Sequence, residues 1–502
     1  MRAGTQGTFN CINVGYALFF AMNMAAMWGS TFPFMPAAVQ TPENLAAFFY
    51  PSFTFEAGFF CLALLSYRMG PKLHRWLVPL AAVPYLIGWL CLVAFALFDA
   101  KLIAAMALSG LFLGWGTAGF FLVWQQVFAA SDLETSCRNV VVGTMLAACI
   151  YVGMSLIDAT YVLLLVPCAL FAAFLACALV ALRRADLSKP CFTGVPAQHA
   201  TRCRHALRDY WRSAFCVGTI GFCSGAMRTA AIDGPEAGAL VNVVSMVALL
   251  AASAAFLYLW NRKALTISTT IVFRAISPIM LVLLALVPVV GEGYTVFLAG
   301  ILFALLGCAV VLMTVQCLSV SGKRGIQPVL AYGLFAGCVW TLHDAGSLVS
   351  TAVDAAAGGL AFDGLASITI FCTCAVGVGL FVSQGGFRSV LSPHQLKTEN
   401  IELMRTAAAP PSRSRATSAP PDNARRDRLA AQGAVLKERY FLTDREAEIA
   451  QLVTRGFTVK KISETLTISE NTVRTHMKKV YEKLDIHKKT ELVSIVEAIE
   501  LD

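Results

Sequence analysis

The chain has 502 residues, 57% of them hydrophobic and only 14% charged, with a mean hydropathy of +0.68 and a formal net charge of +9. Soluble domains carry about 25% charged residues, so this composition excludes a chain that is soluble throughout, and it excludes a disordered polyelectrolyte as well. The 16 cysteines fall mostly in apolar stretches (Cys61, Cys149, Cys168, Cys177, Cys308, Cys338) and form no zinc-spaced pair. They read as small apolar side chains, and neither a disulfide framework nor a metal centre is expected.

Twelve stretches, in chain order, approach the roughly 20 apolar residues that cross a bilayer as helix: about 11–36, 44–66, 77–98, 102–128, 140–157, 160–182, 214–232, 238–260, 275–291, 294–319, 329–352 and 364–383. The first is too long for a signal peptide, lacks a small-residue cleavage site and is followed by many further spans. Loop charges orient the set. One side holds Arg68, Lys72, Arg75, Arg138, Arg183, Arg184, Lys189, Arg202, Arg204, Arg208, Arg212, Arg262, Lys263, Arg274, Lys323 and Arg324. The other holds Lys101 among Glu43, Asp99, Asp158, Asp233, Glu236, Glu292, Asp354 and Asp363. This positive-inside pattern requires an even number of spans and predicts both termini in the cytoplasm, with the chain in the cell membrane. It also accounts for much of the net charge without invoking nucleic acid.

Ionisable residues inside spans are functional suspects. Glu56, Arg228, His343 and Asp344 are therefore candidate ligand-binding residues, with Asn23, Gln125, Gln126 and Gln316 as polar partners and Trp28, Trp115, Trp124 and Trp340 as stacking surfaces. The plainer reading is that Arg228, His343 and Asp344 snorkel to an interface or pair only for packing. Gly110 and Gly114, four apart, read as a helix-packing motif.

Beyond the last span, Ser392-Pro393-His394-Gln395 carries the signature of a helix start and predicts a short helix to about Arg405. Residues 406–427, TAAAPPSRSRATSAPPDNARRD, cannot bury a core and read as a disordered linker, with helix resuming over about 423–440. The domain reading is thus a membrane bundle over 1–384, a juxtamembrane helix and linker over 385–434, and a soluble domain over 435–502.

That final domain changes character. Thr443 with Glu446 forms a capping box, so a helix begins at Asp444, and Gly456 follows its last turn. Thr458 opens a short second helix ending near Leu466, Ile468-Ser469 is a turn, and Ser469 caps a third helix from Glu470 to about Leu484. A fourth follows from about Lys488 to Leu501. Two helices joined by a tight turn, the second long and basic, is the helix-turn-helix plan. On the third helix Val473, Met477, Val480 and Leu484 make one apolar stripe. The other faces carry Asn471, Arg474, Thr475, Lys478, Lys479 and Lys483, the cationic bias that phosphate neutralisation needs. The competing reading is a solvated basic face on a small helical domain.

The residues Leu442, Thr443, Arg445, Glu446, Glu448, Ile449, Leu452, Gly456, Lys461, Ile462, Leu466, Ile468, Ser469, Thr472, Val473, His476, Lys483, Leu484, Glu491 and Leu492 resemble the LuxR-type helix-turn-helix domain. The resemblance implies that Arg474, Thr475 and Lys478 face bases. It implies that Thr472, His476, Lys479 and the start of the second helix (Lys460, Lys461) hold phosphates, with Asn471 beside them, and that Thr490 to Ile499 pairs two domains on a two-fold promoter site. Ser463 replaces the usual alanine, and Lys488-Lys489 replaces a more typical Ser/Thr-x-Arg arrangement. The long basic loop 183–213 splits the spans six and six, which resembles the major facilitator superfamily of transporters. In the signature between spans two and three, Arg68, Gly70 and Lys72 fit that family, while Tyr67 stands where it has aspartate and Pro71 where it has a basic residue. In that family the aspartate helps lock the transport gate, so its loss counts against alternating access more than against the fold.

The expected fold is therefore all-α: a polytopic bundle of about twelve spans, then a small four-helix soluble domain. No receiver domain, pheromone pocket or phosphate-binding nucleotide loop is recognisable upstream, so the bundle takes the place of the sensing domain. The expected function is a membrane-anchored one-component transcription regulator, not an enzyme and without cofactor. Its partners are double-stranded DNA, the lipid bilayer, an unknown small-molecule signal and a second copy of the chain. The alternatives are a secondary transporter of the major facilitator type with a regulatory DNA-binding tail and, more weakly, a tail that binds a protein.

Overall fold

Inside lipid each backbone N–H and C=O must find its partner within the chain, which leaves helix as the default for long apolar runs. The computed structural model describes residues 10–26, 32–36, 39–98, 103–262, 265–290, 292–357, 364–385, 401–403, 432, 435–466, 468–486 and 489–497. Among these, the first half comprises α1 (Cys11–Ala26), α2 (Pro42–Ser52), α3 (Thr54–Met69), α4 (His74–Phe98), α5 (Ile103–Ala130), α6 (Leu133–Met154), and α7 (Ala159–Leu165) running through a wide turn, Val166–Leu170, into α8 (Phe171–Arg184). A short α9 (Pro190–Thr193) lies in the central loop. The second half comprises α10 (Ala200–Ala231), α11 (Pro235–Arg262), α12 (Thr269–Ala285), α13 (Val287–Val290), α14 (Glu292–Arg324), α15 (Pro328–Ala357) and α16 (Gly364–Ser383). Eight helical stretches are long and apolar enough to cross a membrane, so this is a multi-pass membrane protein.

Each of the twelve expected segments is mainly helical in its described part, with these departures. The expected second span is broken at Phe53, two residues after Pro51, whose ring nitrogen cannot donate to the ladder. Residues 32–36 of the expected first span are not helical. Pro167 opens the sixth span into a π-type turn for the same reason as Pro51. The fifth, seventh and ninth begin earlier than apolar content suggests, at Leu133, Ala200 and Thr269. At Leu133 the cause is a polar cap: Asp132 accepts a hydrogen bond from the Thr135 amide at 2.8 Å. The expected helix up to Arg405 is not seen in its described part. Ile401–Leu403 is instead a strand, β2, paired antiparallel with β1 (Leu265–Ile267) in the loop after α11, so the fold is helical apart from this ladder. The rest of that helix and the 406–427 linker lie outside the described residues.

Association of helices in lipid depends on close packing. Gly110 and Gly114 of α5 lie against the backbone of α2 and the start of α3, as the packing reading expects. The pair α10–α15 is held closer still. A side chain at Gly225 would collide with the carbonyl of His343, and one at Gly346 with the carbonyl of Phe222. The buried core runs through both halves, from Tyr16, Phe19 and Trp124 to Met246, Leu302 and Val339. Gly225→Val is expected to cost about 3 kcal/mol by overpacking and to lower the unfolding temperature in detergent. Gly153→Ala, with open space around it, is expected to leave that temperature unchanged.

Candidate functional site

The carboxyl-terminal domain is built from its caps. Thr443 accepts from the Glu446 amide at 3.3 Å while the Glu446 carboxylate accepts from the Thr443 amide at 2.9 Å, starting α17 (Asp444–Thr454). Gly456, with φ +85, lets the chain reverse into α18 (Val459–Leu466). The turn closes with the Ile468 amide on the Ser463 carbonyl at 3.0 Å. Ser469 then accepts from the Thr472 amide at 3.1 Å and starts α19 (Glu470–Leu484), and α20 (Lys489–Glu497) follows. Ile449, Leu452, Ile462, Val473, Val480, Leu484, Leu492 and Val496 form a core of their own, separate from that of the bundle.

Three of the four residues of the apolar stripe, Val473, Val480 and Leu484, are buried in that core, and Met477 packs against it. Asn471, Arg474, Thr475 and Lys478 are exposed on α19, and Thr472, His476 and Lys479 are half-buried. The Thr475 hydroxyl donates to the Asn471 carbonyl at 2.8 Å, and the Thr472 and Ser469 hydroxyls share a hydrogen bond of 2.8 Å. Arg474 approaches Glu470 at 3.4 Å, a surface pair worth little. Lys460 and Lys461 are exposed in the first turn of α18, and Lys461 lies 4.9 Å over the Phe457 ring. The described part of the expected pairing helix is helical through Glu497, and its last two residues lie outside the described set.

Lys483 departs from the sequence reading. It turns inward from the basic face and pairs with Glu446, whose side chain is only 3% exposed. Burial pushes the Glu446 carboxyl up, but the Lys483 ammonium and the Thr443 amide outweigh it and hold it below the ordinary glutamate range.

The structure also gathers part of the ionisable set in the bundle. Glu56, in the first turn of α3, lies beside Asp344 of α15. Asp344 is 2.9 Å from His343 Nδ1, and Trp340 stacks edge-on to His343 at 5.4 Å. Arg228 is 1% exposed, so it does not snorkel. Its guanidinium donates to Asn242 and lies 5.3 Å over the Phe303 ring. Of the other residues singled out, Asn23 accepts from Tyr85 and Thr117, Gln126 meets His74 at 2.7 Å, and Gln316 joins Thr269 to Ser213. Trp28 lies outside the described residues. Sequence reasoning missed Gln327, 2% exposed, which accepts from Ser66 Oγ of the first half and donates to the Gly194 carbonyl at 3.2 Å. Nothing in its sequence neighbourhood marks it.

Residues 441–496 match the family described as bacterial regulatory proteins, luxR family. The transcriptional regulatory protein DegU of Brevibacillus brevis is 38% identical over 63 residues, covering 12% of this chain and 26% of that protein. The uncharacterized response regulatory protein YgeK of Escherichia coli K12 is 46% identical over 52 residues, covering 10% of this chain and 35% of that protein. The chain thus spans about a quarter to a third of the length of these relatives. A bacterial homologue of the iron transporter ferroportin, in its outward-facing state, superposes with a TM-score of 0.52 at 14% identity, covering 74% of this chain and 97% of that one. The E. coli fucose:proton symporter gives 0.48 at 16% identity over 74% and 97%. The carboxyl-terminal domain is a LuxR-type helix-turn-helix domain, and the likeness of the bundle to transporters is one of fold.

Because Glu446 titrates below its ordinary value, its contribution to folding is present above about pH 4.3 and is lost as the pH falls through the lowered value. Lys483→Met strands the buried carboxylate and is expected to cost about 3 kcal/mol at neutral pH. Urea unfolding of residues 435–502, followed by circular dichroism at neutral and acid pH, checks both: the deficit of the variant is expected to shrink in acid.

Proposed function

We propose that the chain is a one-component transcription regulator anchored in the cell membrane, with twelve spans and both termini in the cytoplasm. The observation that carries this reading is the covalent union of a LuxR-type helix-turn-helix domain with a multi-pass bundle. The domain division is 1–384 for the bundle, 385–434 for the connection and 435–502 for the reader. In this reading α19 enters the major groove, with Arg474, Thr475 and Lys478 toward base edges. Asn471, Thr472, His476 and Lys479 meet the backbone on either side, and Lys460 and Lys461 place charge at the start of α18, where phosphate is favoured by helix polarity. Two copies pair through Thr490 to Ile499 on a two-fold promoter site.

The signal is a small molecule that enters the bundle and meets Glu56, His343 and Asp344 at the α3–α15 junction, or Arg228 on α10. It acts only by preferring one of two helix arrangements over the other. Support comes from the burial of Glu56, Arg228 and His343, and from the meeting of the two halves at Glu56 and Asp344. The second reading, a secondary transporter with a DNA-binding tail, draws on the shared fold. Solute accumulation by the purified bundle in proteoliposomes would favour it.

Mapping the genomic sites bound by the chain supplies the duplex for the test. With the full chain in nanodiscs, Arg474→Ala and Lys478→Ala are each expected to weaken binding to that duplex by about tenfold or more while sparing unrelated sequence. Lys479→Ala is expected to weaken all duplexes alike and to reduce the salt slope by about one. Wild-type affinity and selectivity in both Arg474→Ala and Lys478→Ala would show that α19 has been given the wrong role.

A further inference from the structure

The reading face of α19 is not turned away from the bundle. Arg474, Met477, Lys478 and Tyr481 line one cleft with Thr201, in the first turn of α10. The domain is seated there by Phe441, the residue at its head. Phe441 has a left-handed backbone, φ +53, at the end of the helical stretch 435–440, where the Leu442 amide closes on the Lys437 carbonyl at 3.0 Å. Its carbonyl accepts from Lys483 Nζ at 2.8 Å. Its ring lies directly on Gly325, in the turn between α14 and α15, and Gly325 is itself left-handed at φ +62. Any side chain at Gly325 would collide with that ring. The contact is apolar at its centre and like-charged at its edge, since Arg324 sits close enough to Lys483 to oppose its charge.

The same turn also joins the two halves of the bundle. Gln327, two residues after Gly325, is clasped by Ser66 at the end of α3 and by the Gly194 carbonyl of the central loop. Two residues span at most about 7 Å, so Gln327 cannot move far without carrying Gly325 with it.

We propose that the turn 324–327 is a latch between the bundle and the DNA-binding domain. It seats that domain through Phe441 on Gly325, with α19 facing α10, and it is released when the halves part at Ser66 and Gln327. With the seat closed, Arg474 and Lys478 stay open to solvent, but a duplex, far wider than that cleft, would meet α10 and the membrane surface behind it before it could seat on α19. With the clasp open, Gly325 moves, the ring loses its bed, and α19 is freed. The effect on DNA rests on the regulator reading above; the seat itself does not.

The test uses the full chain in nanodiscs with two readouts. The first is the yield of an amine-to-amine crosslink between Lys323, beside the turn, and Lys479 of α19, which lie on the two sides of the seat. The second is affinity for a fluorescent random-sequence duplex at low ionic strength. In the wild type, the crosslink is expected to form, and the duplex to bind at least about fivefold more weakly than it binds the fragment 435–502, which has its own core. Phe441→Ala and Gly325→Val are both expected to lower the crosslink yield severalfold and to tighten duplex binding to near that of the fragment. Gly325→Val leaves the tail sequence intact, so it decides the matter if Phe441→Ala unfolds the domain. Ser66→Ala is expected to move both readouts part of the way. No crosslink in the wild type, or no change in either seat variant, overturns the latch. Full crosslinking in Ser66→Ala with loss in Phe441→Ala overturns the coupling to the halves. Loss of the crosslink with no duplex binding by any form upholds the latch and refutes the DNA reading instead.

Discussion

The governing constraint is the absence of water around most of this backbone. A bilayer interior offers no hydrogen-bond partner, so each long apolar run closes its own ladder as helix, and the helices must then find one another without a hydrophobic driving force. Small residues answer that need. Gly225 and Gly346 let α10 and α15 approach until backbone meets backbone, and Gly110 and Gly114 do the same for α5 against α2 and α3. Several of the polar groups left inside are paired. Tyr85 and Thr117 share Asn23, Gln316 joins Thr269 to Ser213, and Arg228 is held by Asn242 and Phe303.

The carboxyl-terminal domain obeys the opposite solvent rule. Its stability comes from an apolar core assembled from four short helices, three of them started by a side-chain cap, at Thr443, Thr458 and Ser469. One charge pair is drawn inside, Glu446 with Lys483, and it links the cap of α17 to the last turn of α19. That pair fixes the angle of the basic helix to the rest of the domain. It also places Lys483 under Phe441, so the element that holds the domain together also shapes the residue that seats it on the bundle.

Two solvents therefore meet at the turn 324–327. On one side Gln327 is buried between Ser66 and the central loop; on the other Gly325 carries the ring of Phe441. A rearrangement of membrane helices has few ways to reach a soluble domain other than through a short, tightly held connector of this kind. The junction of Glu56 with Asp344 and His343 lies on α3, which carries Ser66, and on α15, which begins just after Gln327. An occupant there and the position of the turn are thus linked through rigid elements.

Much of this was legible in the residues. Apolar length marked the helical segments, and the caps at Thr443, Thr458 and Ser469 marked the carboxyl-terminal helices to within a residue, because both depend on local spacing alone. The LuxR-type pattern was readable for the same reason. What local spacing does not encode is which surfaces face each other. Lys483 looks like one more cation on a basic helix until α17 is packed against it, and Ile401–Leu403 looks helical until β1 offers it an edge. The break at Phe53 follows from Pro51, yet its use, bringing Glu56 into the first turn of α3 beside Asp344, appears only once α15 is in place. Gln327, Gly325 and Phe441 carry no motif at all. Their meaning comes from partners more than a hundred residues away, and only the folded chain brings them together.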